Sequence, residues 1–428
     1  MIGKRLFRSV LLAAVAAIAA AALPAEEIPT AVPEEVGMSG ERLRAIDGVM
    51  QRRVDSGEIQ GAVTALARRG RVVHFEAYGL MDVARGRAMR EDAIFRMASS
   101  SKPVLAVAAM MLIEEGLLHP DDQVAAYLPE FGAMQVAVLK EPADRDVSPW
   151  FVAAGKGKGA KGEVPAHRLV PARRAITIHD LLTHTSGIDS SGLGSAVSEW
   201  PEPGPEATLA SHVPLYAGLL LDFQPGTRWG YSPRVGHDVV ARVIEIASRL
   251  PYDEFVRARI FEPLGMTDTH FFLPSAKEPR RVVIHGLDAK AKGWDQPSRY
   301  VSASGGLSST ARDYLRFEQM LANGGTLFGK RLLSAESVAA MSSNQVGDLY
   351  QVNGKQAGRG FGYGVAVVLD PAAANSARGK GAFGWGGAFG TTTWTDPEHE
   401  ITAVLMVQQG SGRMLHDFEH AIRAAIVD

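Results

Sequence analysis

The sequence predicts a mixed α/β (α+β) fold: an antiparallel sheet built from both chain ends and flanked by helices, with a mostly helical region inserted between them. Three observations carry this. A hairpin pattern lies near the start, apolar strand-like runs return near the end, and the stretch between carries apolar residues at helical spacing. With 46% apolar and 21% charged residues, the 428-residue chain has an ordinary globular balance and can bury a large core.

Residues 1–25 read as a signal peptide. Lys4, Arg5 and Arg8 precede an apolar run, Val10 to Leu23, which ends at the small-residue segment Leu23-Pro24-Ala25 before Glu26 and Glu27. Cleavage is expected after Ala25, with Ala22 as second choice; an uncleaved anchor is the competing reading. Residues 26–428 then form one domain, its sheet part about 26–98 and 300–428 and its helical part about 99–299. No other apolar stretch is long enough to cross a bilayer, so the mature protein is expected to be periplasmic or secreted.

The elements follow in order. Leu43, Ile46, Val49, Met50 and Val54 mark a helix over Ser39–Ser56, stopped by Gly57. Ala62–Arg68 and Val72–Tyr78 form a hairpin about Arg69-Gly70. Ala93–Met97 is short and extended. From Ser100, Val104, Val107, Ala108, Met111 and Leu112 define a buried helical stripe up to Gly116, with Pro103 tolerated in the first turn. Thr177, with Asp180 three residues on, caps a second helix that stops near Gly187. Residues 140–174 look irregular, with a Lys/Gly loop over Gly155–Gly162. Val235–Leu250 is helical, Gly362–Leu369, Phe389–Thr395 and Ile401–Val407 are strands, and about Met414–Ile426 is a closing helix. There is no internal repeat.

Composition excludes several function classes. The chain has no cysteine, so disulfides, thiolate metal sites and thiol nucleophiles are ruled out. A net charge of −2 without a basic stripe gives no footprint for nucleic acid. Two motif-like strings carry little. Gly157, Gly159 and Gly162 match a dinucleotide fingerprint in letters, but no strand precedes them and no helix follows. His416-Asp417-Phe418-Glu419-His420 spells an inverted zinc motif, but the eight residues after it hold no third ligand, so a half-exposed helix face is the better reading. No cofactor or metal is expected.

The chemistry gathers at three places. Ser99-Ser100-Ser101-Lys102 gives S-x-x-K, which on a helix start puts the Lys102 amine on the face of the Ser99 hydroxyl. The helix N-terminus adds positive potential, and a serine needs such a neighbouring base to become a nucleophile. Ser100 and Ser101 lack the spacing and read as packing or capping residues. Tyr231-Ser232-Pro233 precedes a helix, and Tyr231 could take and return the Ser99 proton. Trp385-Gly386-Gly387 leads toward a strand expected from Ala388. Paired glycines there suggest close approach of backbone to a ligand, and the Ala388 N–H could join that of Ser99 as an oxyanion hole. Each signal alone has a plainer explanation: chance, a core tyrosine, a tight bend.

Together, and in this order, they resemble one family. Met97-Ala98-Ser99-Ser100-Ser101-Lys102-Pro103, Leu181-Leu182-Thr183-His184-Thr185-Ser186-Gly187, Pro225-Gly226-Thr227, Tyr231-Ser232-Pro233, Ser304-Gly305-Gly306-Leu307-Ser308-Ser309-Thr310-Ala311 and Trp385-Gly386-Gly387 are similar to blocks of the family VIII carboxylesterases. These are relatives of class C β-lactamases and D-alanyl-D-alanine carboxypeptidases. The resemblance runs from about residue 35 to the end. It implies the β-lactamase-like fold, an acyl-enzyme on Ser99, proton transfer by Lys102 and Tyr231, and a small-molecule ester as substrate. His184 reads as a structural hydrogen-bonder, and Ser342-Ser343-Asn344 as a helix-end turn.

Two departures bear on substrate. Pro233 stands where the β-lactamases usually have Asn, and Trp385 where they usually have Lys. A missing charge partner or donor at a polar site changes selectivity by roughly 2 to 5 kcal/mol. Both losses favour esters without a carboxylate over penicillins, and Trp385 offers an apolar face instead. The alternatives are a class C-type β-lactamase or D-alanyl-D-alanine carboxypeptidase, and a non-catalytic ligand-binding scaffold.

Overall fold

The computed structural model describes residues 26–140, 166–284, 298–354, 356–409 and 412–428. The N-terminal 25 residues and the Lys/Gly loop of 155–162 lie outside this set. Valine, isoleucine and threonine runs from both ends build one antiparallel eight-stranded sheet. Its strands are β1 (Gly61–Arg68), β2 (Arg71–Asp82), β3 (Arg87–Ala88), β4 (Arg359–Phe361), β5 (Ala366–Val368), β6 (Phe383–Gly386), β7 (Thr392–Asp396) and β8 (Ile401–Val407). The order is β4-β5-β6-β7-β8-β1-β2-β3, so the two chain ends meet where β1 pairs β8, with Thr64 opposite Leu405.

Every residue of β1 and of β8 is buried, because both sheet faces are covered. The period-2 alternation divides the faces. Ala62 and Leu66 of β1, with Leu405 and Val407 of β8, meet Ile46 and Met50 of α1 (Ala45–Asp55) and Phe418 and Ile422 of the closing helix (Gly412–Ala425). Val63, Ala65 and Ala67, with Val404 and Met406, share the larger core with helix α2 (Lys102–Glu114), helix α4 (Val235–Ser248), and Tyr314, Phe317 and Leu321 of helix α5 (Ala311–Ala322). The closing helix is α6. Between α2 and α4 comes α3 (Ile178–Leu182), where Thr177 and Asp180 form the expected reciprocal cap.

Several expected elements are corrected. The first helix breaks at Arg44 into Gly40–Leu43 and α1. The strand expected over Gly362–Leu369 narrows to β5, because Gly364 sits at φ +71° in the turn that joins it to β4. Trp385-Gly386 does not precede a strand. It ends one, β6, and the next, β7, starts at Thr392 rather than Phe389. The glycines serve close approach within the sheet: a Cβ on Gly384 would stand 2.1 Å from the Thr393 carbonyl oxygen. The helical part also holds a strand pair, Gln135–Leu139 with His167–Pro171, the second of which lies in the stretch of 140–174 expected to be irregular. Among the described residues no helix is long and apolar enough to cross a membrane.

Helix α2 positions the site. Lys102 through Leu112 are all buried, so it is a central core helix rather than an amphipathic one. Its approach is rigid. Phe95 and Arg96 pair with Ser309 and Ser308, and the Met97 N–H donates to the Leu307 carbonyl at 2.8 Å.

Candidate active site

Ser99 lies in a tight turn, Ala98–Ser101, that runs straight into α2. The residue before it, Ala98, is buried with φ +46°, a left-handed conformation that an alanine holds only when its surroundings impose it. Those surroundings are the β6–β7 turn and α5. The Thr391 hydroxyl donates to the Met97 carbonyl at 3.0 Å and lies 3.0 Å from the Ser100 hydroxyl, and the Tyr314 hydroxyl donates to the Ser100 carbonyl. The Ser101 hydroxyl accepts from the Leu307 N–H at 3.2 Å. Ser100 and Ser101 thus face away from the chemistry and pin the turn, leaving Ser99 half-exposed.

Lys102 is 0% exposed. Its Nζ lies 3.4 Å from Ser99 Oγ, 3.0 Å from the Pro233 carbonyl oxygen and 2.7 Å from the Ser304 carbonyl oxygen. A buried ammonium in a helix's first turn is disfavoured by desolvation and by the dipole, so these oxygens are what make the position tolerable. The Tyr231 hydroxyl is 2.7 Å from Ser99 Oγ, and Lys102 Nζ is 5.2 Å from the Tyr231 ring centre. The structure therefore brings together Ser99, Lys102 and Tyr231 over 132 residues of sequence.

Trp385 flanks the same group, its ring 5.5 Å from that of Tyr231. Trp229 stacks on Tyr231 from another side at 6.3 Å, and Tyr350 and Phe361 complete an aromatic wall. Gly387 meets the Ser99 turn directly: a Cβ there would stand 2.2 Å from the Met97 carbonyl oxygen and 2.4 Å from Thr391 Oγ1. Ala388 follows at the exposed tip of the β6–β7 turn.

His184, at φ +60°, accepts from the Ser232 N–H through Nδ1 at 3.2 Å, which fixes the chain just after Tyr231. Its ring is 4.9 Å from that of His237. Burial first, and then the Lys102 cation, hold the His184 imidazole well below the usual range; burial, His184 and Lys102 do the same for His237. Both are neutral neighbours of the cation. At the chain's far end Glu419 is held by Arg378 at 2.7 Å, so the zinc-like string spends its carboxylate on an ion pair.

Sequence reasoning missed Asp238, the Pro233 and Ser304 carbonyls and Thr391. Asp238 had a signal: it is a charged residue set among Val235, Val239 and Val240 on a helix whose face is otherwise apolar. The carbonyls had none, since any residue supplies one.

An antiparallel sheet flanked by helices, with a serine, a lysine and a tyrosine converging beside β6, defines a β-lactamase-like serine hydrolase. The chain belongs to the β-lactamase family, whose model matches residues 46–426. It is 35% identical to an uncharacterised protein of Mycobacterium tuberculosis over 83% of this chain and 87% of that one. It is 29% identical to the esterase EstB of Burkholderia gladioli over 93% and 97% of the two chains. Among solved structures it is similar to EstCE1, described as a hydrolase with promiscuous acyltransferase activity, with TM-score 0.69 and 25% identity over 90% of this chain and 99% of that one.

Proposed function

We propose that the protein is an exported serine carboxylesterase acting on small to medium acyl esters through Ser99, Lys102 and Tyr231. The observation that carries this is the Tyr231 hydroxyl at 2.7 Å from Ser99 Oγ with Lys102 Nζ at 3.4 Å on the same atom. The likeness to a named esterase supports it, as does the basic, apolar, small-residue start for export to the periplasm or medium.

In acylation, Ser99 Oγ adds to the ester carbonyl carbon as its proton passes to the deprotonated member of the Tyr231–Lys102 pair. The Ser99 and Ala388 N–H groups receive the oxyanion. Collapse breaks the bond to the alcohol oxygen, which leaves with that proton. Water then gives a proton to the pair and adds to the acyl carbon. Ser99 Oγ leaves, takes the proton back, and the carboxylic acid departs. Trp385, with Gly386 and Gly387, lines the acyl or alcohol side.

Pro233 offers no amide, and no lysine precedes Gly386-Gly387, so nothing at either place would select a β-lactam carboxylate. Ser99→Ala is expected to abolish turnover of p-nitrophenyl butyrate while circular dichroism stays unchanged. Undiminished hydrolysis by that variant would sink the reading.

A further inference from the structure

Lys102 is a buried cation held by neutral oxygens. Among the described residues no carboxylate lies within ion-pair distance of it, and its shortest contact is the Ser304 carbonyl. That carbonyl belongs to a tight turn, Ser302–Leu307, in which the Gly306 N–H returns to the Ser302 carbonyl at 2.8 Å. A Cβ on Gly306 would stand 2.8 Å from the same oxygen, so the turn admits no side chain there. The far end of the turn is fixed to the nucleophile segment through Ser101 and Met97.

The near end is fixed by Asp238, in the first turn of α4. Asp238 is 2% exposed. Its carboxylate accepts from the Ser304 N–H at 2.8 Å, the Tyr300 hydroxyl at 2.9 Å and the Ser302 hydroxyl at 3.3 Å. A buried carboxylate with three donors and one residue, Ser304, separating it from a buried ammonium is more than a packing feature. It sets the position of the carbonyl and supplies the negative charge that the Lys102 surroundings otherwise lack.

We propose that Asp238 is a positioning residue for the reaction at Ser99: it grips the Ser302–Leu307 turn so that the Ser304 carbonyl holds the Lys102 ammonium against Ser99, and its charge balances that ammonium across the turn. The proposal rests on the esterase reading. Asp238 does not touch the reacting atoms, so its effect falls on kcat rather than on KM.

The groups facing Asp238 are Lys102 from α2, Tyr300 from the segment before the turn, Tyr216 and Tyr252 from the helical part, and His237 beside it on α4. Burial pushes its carboxyl up to about 6, against the donors and Lys102, which lower it. Protonation through that range removes the charge, so activity is expected to fall as pH drops through about 6.

The test is p-nitrophenyl butyrate turnover from pH 5 to 9 by the wild type, Asp238→Asn and Tyr300→Phe, with thermal melts alongside. Asp238→Asn keeps the shape and loses the charge. It is expected to lower kcat at pH 8 by at least about tenfold, to leave KM within about twofold, and to lose the acid limb near pH 6. Tyr300→Phe keeps the carboxylate but removes a donor that favours its charged form, so the limb moves to higher pH. This second arm holds even where Asp238→Asn folds poorly. A wild-type kcat in Asp238→Asn, or an acid limb unmoved in both variants, would overturn the proposal while Ser99→Ala still reports on the esterase reading.

Discussion

At the scale of the residue, the site is a problem of holding atoms whose neighbours push them away. Ala98 keeps a left-handed backbone, Lys102 keeps a buried charge at the wrong end of a helix, and Gly387 comes within a Cβ's reach of the Met97 carbonyl. Each is held by contacts distant in sequence. The Gly387 contact makes a sharp prediction. Gly387→Ala puts a Cβ 2.2 Å from the Met97 carbonyl oxygen, so the β6–β7 turn must move off the Ser99 segment. A shift of that size misaligns the oxyanion donors, and kcat on p-nitrophenyl butyrate should fall at least about tenfold with KM little changed. Steady-state kinetics check it, and a kcat within twofold of wild type would show that the turn does not shape the reaction. The legibility of the sequence divides along the same line. Ser99 and Lys102 could be read from a local spacing of three, and Tyr231 and Trp385 from short strings. Asp238 showed only as a charge on an otherwise apolar helix face, and Thr391 and the Ser304 carbonyl were not legible, because their meaning lies in contacts across tens to hundreds of residues.

At the scale of the element, α5 against β7 shows how the sheet's back face is built. Glu318 of α5 is buried and accepts from the hydroxyls of Thr393 at 2.6 Å and Thr395 at 2.9 Å. Burial pushes its carboxyl up to about 7, against those donors. A carboxyl raised above its unfolded value stabilises the fold fully below about pH 4.5 and loses that contribution as pH rises through about 7. Glu318→Gln removes the titration and keeps a donor and an acceptor for the two threonines. It should therefore raise the melting temperature at pH 8 relative to wild type and leave it nearly unchanged at pH 5. Thermal melts at both values check this, and an equal effect at the two would contradict it. In the sequence β6 was missed and the start of β7 misplaced, because glycines that mark close strand packing look like glycines that mark a bend.

At the scale of the molecule, the sheet joins the two chain ends and leaves a helical part between, which the alternation near the start and the apolar runs near the end made legible. Strand order was not, since β8 joins β1 across more than 300 residues by tertiary contact and carries β4 through β7 beside it. The interior also holds many imidazoles. Burial lowers His74 to about 4 and also lowers His179, His184, His212, His237 and His270. In the unfolded chain these protonate near pH 6.5, so their contribution to stability is present above that value and is lost as pH falls below it. Burial also raises six carboxyls, Glu76, Asp189, Asp222, Asp238, Asp313 and Glu318, and these act in the opposite direction. His74→Gln removes one of the imidazole titrations, so the melting temperature of the wild type should fall relative to that of the variant between pH 7.5 and 5, and parallel courses for the two would contradict this.

The central claim is that one serine, activated by a lysine and a tyrosine, turns over neutral esters. Its most direct test is a comparison on the purified protein of p-nitrophenyl butyrate with a chromogenic cephalosporin, with mass spectrometry of the enzyme after treatment with a phosphonate. The butyrate is expected to be hydrolysed far faster, with the label on Ser99. A cephalosporin hydrolysed faster than the ester, or a label on any other residue, would contradict it.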